Sequence, residues 1–318
     1  MTETATQTQT DTAMTSPTAP RTDIGGRMHG DTRGYYDEYP FIEGGESRIK
    51  WWQDYLDDYL PAEKVKDKLM ADIGSSVGEI TRGLTLKGAR MNCLDLSLNS
   101  LRRCRQINTE PNLFHGTAIE NPFADETFDH AISIGVLMIT PDCRKGFSEV
   151  ARIVKPGGTI VIFLYNKWCW FNLAYKLFKP VRAVVPLRAV PTFMVRMMQP
   201  FAKSHLGQKL NDEQLRRLLG DKLWTPHSTF HSIAQMKRWG EEEGLDVVGW
   251  KRFYLGYANT VCYRKRGESP SGERSEIQVR CLKCKHQPIG LVDGRFTCEK
   301  CGSYYENQEG IFHFRPSA

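Results

Sequence analysis

The residues best placed to do chemistry cluster between Leu69 and Asp95. Leu69-Met70-Ala71-Asp72-Ile73-Gly74-Ser75-Ser76-Val77-Gly78 reads as a short buried strand entering a glycine turn, with a helix expected over Glu79 to Leu86. Gly74 and Gly78 are expected to let the backbone approach a ligand, beside the free N–H groups of a helix N-terminus. Asp95 ends the next apolar strand, Met91 to Leu94, about twenty residues on, where a carboxylate can accept both hydroxyls of a ribose. The spacing Asp-x-Gly-x-x-x-Gly is wider than a dinucleotide fingerprint. It suits a nucleoside carrying an amino-acid tail better than a pyrophosphate.

Four cysteines form a second centre. Cys281-Leu-Lys-Cys284 and Cys298-Glu-Lys-Cys301 are two C-x2-C knuckles separated by thirteen residues. Four thiolates at this spacing close a tetrahedron around zinc, and a full thiolate set leaves no open catalytic position. A module of this size has too small a core to fold alone, so the metal supplies folding free energy. Redox use of the cysteines is the alternative. Cys93, Cys104, Cys143, Cys169 and Cys262 have no ligand spacing and read as packing residues.

Three further blocks follow the first strand and turn: Gly116 to Asp129, the apolar strand Ala131 to Val136, and Arg152-Ile153-Val154-Lys155-Pro156-Gly157-Gly158 before a strand over Thr159 to Leu164. In order and spacing, the four blocks resemble the class I S-adenosylmethionine (SAM)-dependent methyltransferases of the type 11 group, over roughly Tyr36 to Arg264. The resemblance implies a Rossmann-like α/β fold with a seven-stranded, mostly parallel sheet, flanking helices and a terminal antiparallel hairpin. It implies SAM as cofactor, held by Asp72, Gly74, Ser76, Gly78, Asp95, Leu96, Thr117 and Ala118. Two positions depart from the pattern. Ser76 replaces the usual middle glycine and is accommodated if its φ is negative; Thr117 replaces the acid that often meets the adenine amino group. The segment around Val279-Arg280-Cys281 and Tyr304 to Ile311 is similar to zinc-ribbon proteins that activate methyltransferases, here fused in cis.

The 318 residues divide accordingly. A threonine-rich tail, expected to be disordered, covers 1–33, a methyltransferase domain 34–265, a polar turn-forming linker 266–276 and a zinc ribbon 277–318. No apolar run approaches a membrane span, and nine cysteines without a leader sequence imply a reducing cytoplasm.

The helical insertion, 166–240, is the expected seat of acceptor selection. Asn166 to Asn211 holds eight lysines and arginines and no acid, while the whole chain carries a net charge of only +6. Aromatic and apolar residues are interleaved, and Pro180, Pro186, Pro191 and Pro200 cut the segment into short helices. Three readings stand: a cap over the substrate, docking on an anionic membrane or amphiphilic acceptor, or a phosphate-binding face for nucleic acid. Beyond it, Pro226-His227-x-x-x-His231 resembles a bacterial methyltransferase signature preceding a helix capped by Ser232. His227 and His231 are expected to line the acceptor pocket, one as base or donor, with metal binding or loop-fixing as alternatives. Ile139 occupies the position where many relatives carry a histidine. Tyr36 and Phe41 are expected in a lid that excludes water from the methyl group.

The activity implied is methyl transfer to a small-molecule, lipid-linked or sugar acceptor. The alternatives are an RNA methyltransferase and a non-enzymatic SAM-binding scaffold.

Overall fold

The computed structural model describes Tyr36 and residues 44–206, 209–225, 227–268 and 276–314. The tail 1–33, Phe41 and the middle of the 266–276 segment lie outside the described residues. Helix α1 (Gly45–Leu56) leads into β1 (Leu69–Ile73), α2 (Glu79–Thr85), β2 (Arg90–Asp95), α3 (Leu98–Ile107), β3 (Asn112–His115), β4 (Phe128–Ile134), α4 (Cys143–Ile153) and β5 (Val154–Tyr165). Then come the insertion helices α5 (Trp170–Leu177), α6 (Lys179–Val184), α7 (Thr192–Arg196), α8 (Gln199–Leu206) and α9 (Asp212–Leu219). Helix α10 (Ile233–Glu242) and the hairpin of β6 (Leu245–Phe253) and β7 (Ala258–Lys265) follow. The C-terminal segment adds β8 (Gly290–Val292), β9 (Arg295–Thr297), β10 (Tyr304–Tyr305), β11 (Asn307–Gln308) and β12 (Ile311–His313).

Strand β1 is buried throughout and apolar except for Asp72, because both faces of the sheet are covered. Alternation sorts its side chains. Leu69, Ala71 and Ile73 join one core with Ile160 and Ile162, whereas Met70 joins another with Leu56, Leu84 and Val161. The seven expected strands are present in the order β3-β2-β1-β4-β5-β7-β6, with β7 antiparallel to both neighbours.

The sheet does not stop at seven. β12 pairs parallel to β3, setting Ile311, Phe312 and His313 against Leu113, Phe114 and His115, and β11 extends the edge to nine strands. The C-terminal segment is therefore built into the sheet rather than hung from the 266–276 segment. Apolar packing explains this: Phe312 stacks on Phe114, and Phe314 stacks on Tyr305 at 4.3 Å. Arg280 pairs with Glu149 at 2.5 Å, both nearly buried, and donates through Nε to the Asn121 carbonyl.

The prolines divide the insertion as expected, and its short helices share a small core of Leu187, Val195, Leu215, Leu218 and Trp224. A single π-helical turn, Gly220–Trp224, follows α9. No helix among the described residues is long and apolar enough to cross a membrane.

Candidate active site

A cavity of about 320 Å³ opens over the carboxyl ends of β1, β2, β4 and β5, the usual ligand position in an open α/β sheet. Asp72, Gly74, Ser76, Asp95, Leu96, Thr117 and Ala118 all line it. Asp95 accepts the backbone N–H of Ser76 at 2.7 Å and of Ser97 at 2.8 Å, so its carboxylate is oriented by both flanking turns. Asp72 is 2% exposed; Thr81 donates to it at 2.7 Å, yet burial pushes its carboxyl up to about 7.

The turn departs from expectation at two residues. Ser76 has φ +51°, not a negative value, so it occupies the left-handed region that glycine tolerates better. Gly78, with φ +80°, does not line the cavity. A Cβ there would meet Cys104 Sγ at 2.3 Å, so this glycine serves the packing of α2 against α3. Gly74 does line it, and a Cβ would lie 2.2 Å from Val136. Its constraint comes first from the neighbouring strand end.

The same cavity is walled across β1 and β4 by a second group that sequence reasoning missed: Tyr165, Asp221, Lys222 and Tyr257. Lys222 Nζ lies 2.6 Å from Asp221 Oδ2 and 5.9 Å from the ring centres of both tyrosines. Burial alone would lower its pKa, but the Asp221 and Tyr165 interactions outweigh that and hold it above the ordinary lysine value. Burial pushes both tyrosine hydroxyls upward. Asp221 and Lys222 sit on the π-helical turn, a geometry frequent at functional sites, and nothing in their local sequence marks it.

Tyr36 joins the two groups. Its carbonyl accepts from Ser97 Oγ at 3.3 Å, beside Asp95, and its hydroxyl donates to Asp221 at 3.2 Å. Behind it, buried Arg48 pairs with Glu79 at 2.7 Å.

His227 and His231 are placed elsewhere: neither lines the cavity. His231 is 7% exposed, packs on Trp239 and meets Thr229 Oγ1 at 2.8 Å; its backbone N–H donates to Tyr165. Burial lowers its pKa. Thr229 in turn donates its N–H to the carbonyl of Met138, a cavity residue. The loop backs the cavity wall, and the His231 imidazole stays outside because the backbone there pairs with Asn166.

In the C-terminal segment, Cys281, Cys284, Cys298 and Cys301 converge, with all four Sγ atoms within 4.8 Å of one another.

A methyltransferase-domain family model matches residues 71–162. The chain is 31% identical over 202 residues to the demethylmenaquinone methyltransferase of Corynebacterium kroppenstedtii, covering 63% of this chain and 75% of the relative. It is 32% identical over 243 residues to that of Bacillus velezensis, covering 74% of this chain and 95% of the relative. Among solved structures, magnesium protoporphyrin IX methyltransferase from Synechocystis aligns with a TM-score of 0.48 and 12% identity, over 73% of this chain and 97% of the other. The chain belongs to the class I SAM-dependent methyltransferases and is a SAM-dependent methyltransferase.

Proposed function

We propose that the enzyme methylates a small-molecule acceptor of the quinone type. Two relatives, matched over 75% and 95% of their length, are named demethylmenaquinone methyltransferases. The observation that carries the reading to this chain is the buried Lys222–Asp221 pair beside Tyr165 and Tyr257, in the same cavity as the cofactor residues. SAM supplies a methyl group already activated on a sulfonium, so the protein mainly aligns an acceptor and excludes water. Asp95 would hold the ribose hydroxyls, and Leu96, Thr117 and Ala118 would flank the base. Asp72 would face the ammonium of the amino-acid tail. Lys222, kept charged by Asp221, is the donor suited to an acceptor oxygen that carries negative charge. Tyr165 and Tyr257 supply ring faces and hydroxyls to position it, and Tyr36 closes the site between the two halves. His231 holds the loop behind Met138, through Thr229, and neither it nor His227 takes a proton from the acceptor.

A second element of the reading is structural zinc in a fused ribbon spanning 277–318. A tetrahedral zinc–thiolate site has sulfur–sulfur edges of about 3.8 Å. The pairs Cys281–Cys301 and Cys284–Cys298 both stand at 3.5 Å, so the donor set fits a closed four-thiolate site. In this arrangement the metal would tie the turn at Cys281–Cys284 to the turn at Cys298–Cys301 that joins β9 to β10.

The test is incubation of purified protein with methyl-labelled SAM and a reduced, short-chain naphthoquinol lacking the ring methyl. Label entering the solvent-extracted quinol supports the proposal. Label that enters only RNase-sensitive material, or no labelled quinol when SAM is shown to bind, overturns it.

A further inference from the structure

We propose that the outer face of the insertion docks on the surface of an anionic lipid bilayer. Nine of the seventeen large apolar side chains standing exposed among the described residues lie between Trp168 and Met197. Trp168, Leu173, Leu177, Val184, Phe193 and Met197 are each 62% to 80% exposed. Such a concentration on a soluble surface marks an interaction face.

The identity of the partner follows from what is interleaved with these residues. Lys167, Lys176, Lys179 and Arg188 are exposed on the same stretch, and the sequence from Asn166 to Asn211 has no carboxylate to offset them. Lys167 lies 5.2 Å from the Trp168 ring, placing a cation next to an indole, the pair of groups favoured at a headgroup boundary. Aliphatic side chains at the neighbouring positions would gain nothing from a phosphate backbone in water, but would enter the acyl boundary beneath anionic headgroups. Nucleic acid would satisfy the charge and leave Leu173, Leu177 and Val184 stranded.

Helix α5 is apolar on both sides. Phe171 and Tyr175 face inward, with Phe171 packed 5.1 Å from Tyr257 and 5.2 Å from Tyr165, both walls of the cavity. Leu173 and Leu177 face outward. A bilayer on the outer face would lie about one helix diameter, roughly 10 Å, from the acceptor side of the cavity. The inference does not depend on which acceptor is methylated.

Flotation of the full-length protein with vesicles tests it. The protein is expected to float with phosphatidylglycerol-containing vesicles and not with phosphatidylcholine alone, and to release partly at high salt. The triple variant Trp170→Ser, Leu173→Ser, Leu177→Ser and the double variant Lys176→Glu, Lys179→Glu should each reduce the bound fraction at least about tenfold. SAM affinity, read by calorimetry, should be unchanged in both, because none of these residues lines the cavity. Absence of flotation overturns the proposal. So does equal binding by the triple serine variant, which would reduce the effect to charge alone. Sedimentation showing a dimer that the same serine substitutions dissociate, with no vesicle binding, would assign the face to a second copy instead.

Discussion

Raising the pH from about 5 to 8 is expected to tighten SAM binding through Asp72. Burial lifts its carboxyl from the ordinary aspartate range to about 7, even though Thr81 donates to it. In the ligand-free protein it is therefore largely protonated below that value. A ligand ammonium beside it favours the carboxylate, so binding below neutral pH must expel a proton. Affinity should then rise about tenfold per pH unit up to about 7 and level off above. The full change between pH 5 and 7 is up to about a hundredfold. The sign for stability is opposite. A raised acid contributes stability that is complete below the unfolded-state pKa and is lost as pH rises through the folded value. The ligand-free enzyme should thus be most resistant to urea on the acid side of 7, as far as Asp72 governs it. Calorimetric titration of SAM across this range, with proton release measured in two buffers of different ionisation enthalpy, reads the affinity slope and the expelled proton, and urea denaturation reads the stability. Asp72→Asn should bind weakly and without the pH slope. A wild-type affinity independent of pH, or an equal slope in Asp72→Asn, refutes the assignment.

Lys222→Met should lower acceptor turnover at least about tenfold and leave SAM affinity within about threefold, since the lysine lies across β1 and β4 from Asp95; steady-state kinetics and calorimetry separate the two. It should also cost about 3 kcal/mol of stability by stranding Asp221, and adding Asp221→Asn should recover part of that in urea denaturation. Ser76→Gly, which relieves a φ of +51°, should leave stability unchanged or raise it by about 0.5 kcal/mol; a loss above about 1 kcal/mol would mean the serine side chain is needed. Cys298→Ser, or chelation of the wild type, should release one zinc per chain and weaken SAM binding several-fold; metal analysis finding no zinc in freshly reduced protein removes the site.

The methyltransferase half was legible because its signals are local. Buried strands read as apolar runs, the turn after β1 carries its glycines, and Asp95 ends an apolar strand at the expected distance. Ser232 caps α10 by accepting from Gln235, as a serine before an amphipathic helix should. The wall around Tyr165, Asp221, Lys222 and Tyr257 was not legible. Lys222 and Asp221 are adjacent in sequence and look like surface charge; only the π-helical turn after α9 buries the lysine beside Tyr165, at the end of β5, and Tyr257, in the turn before β7. The histidines show the converse. Residue type pointed to acid–base chemistry, while neither lines the cavity and pairing of His231 with Asn166 sets its ring against Trp239. Backbone conformation at Ser76 was likewise invisible, because residue type sets only a preference against the left-handed region.

The two appendages meet the two halves of the site at opposite ends of the sheet. Without β12, β3 would be an edge strand, and the Gly116 to Ala118 loop that follows it would lack a neighbour. Phe314 donates its N–H to the carbonyl of His115, and its own carbonyl lies 3.1 Å from where a Gly116 Cβ would stand. His115 continues the chain of contacts, with Nε2 meeting the Leu96 carbonyl at 3.0 Å and Nδ1 meeting His313 at 3.2 Å. Loosening the cysteine-rich segment therefore reaches the cofactor end of the cavity through two strands, which is why its loss should be read in SAM affinity before acceptor turnover. The insertion touches the other end, where α5 packs on Tyr165 and Tyr257. Tyr36, bonded to Ser97 on one side and Asp221 on the other, is the one described residue of the lead-in that spans both, so Tyr36→Phe should slow turnover while leaving each half's packing intact.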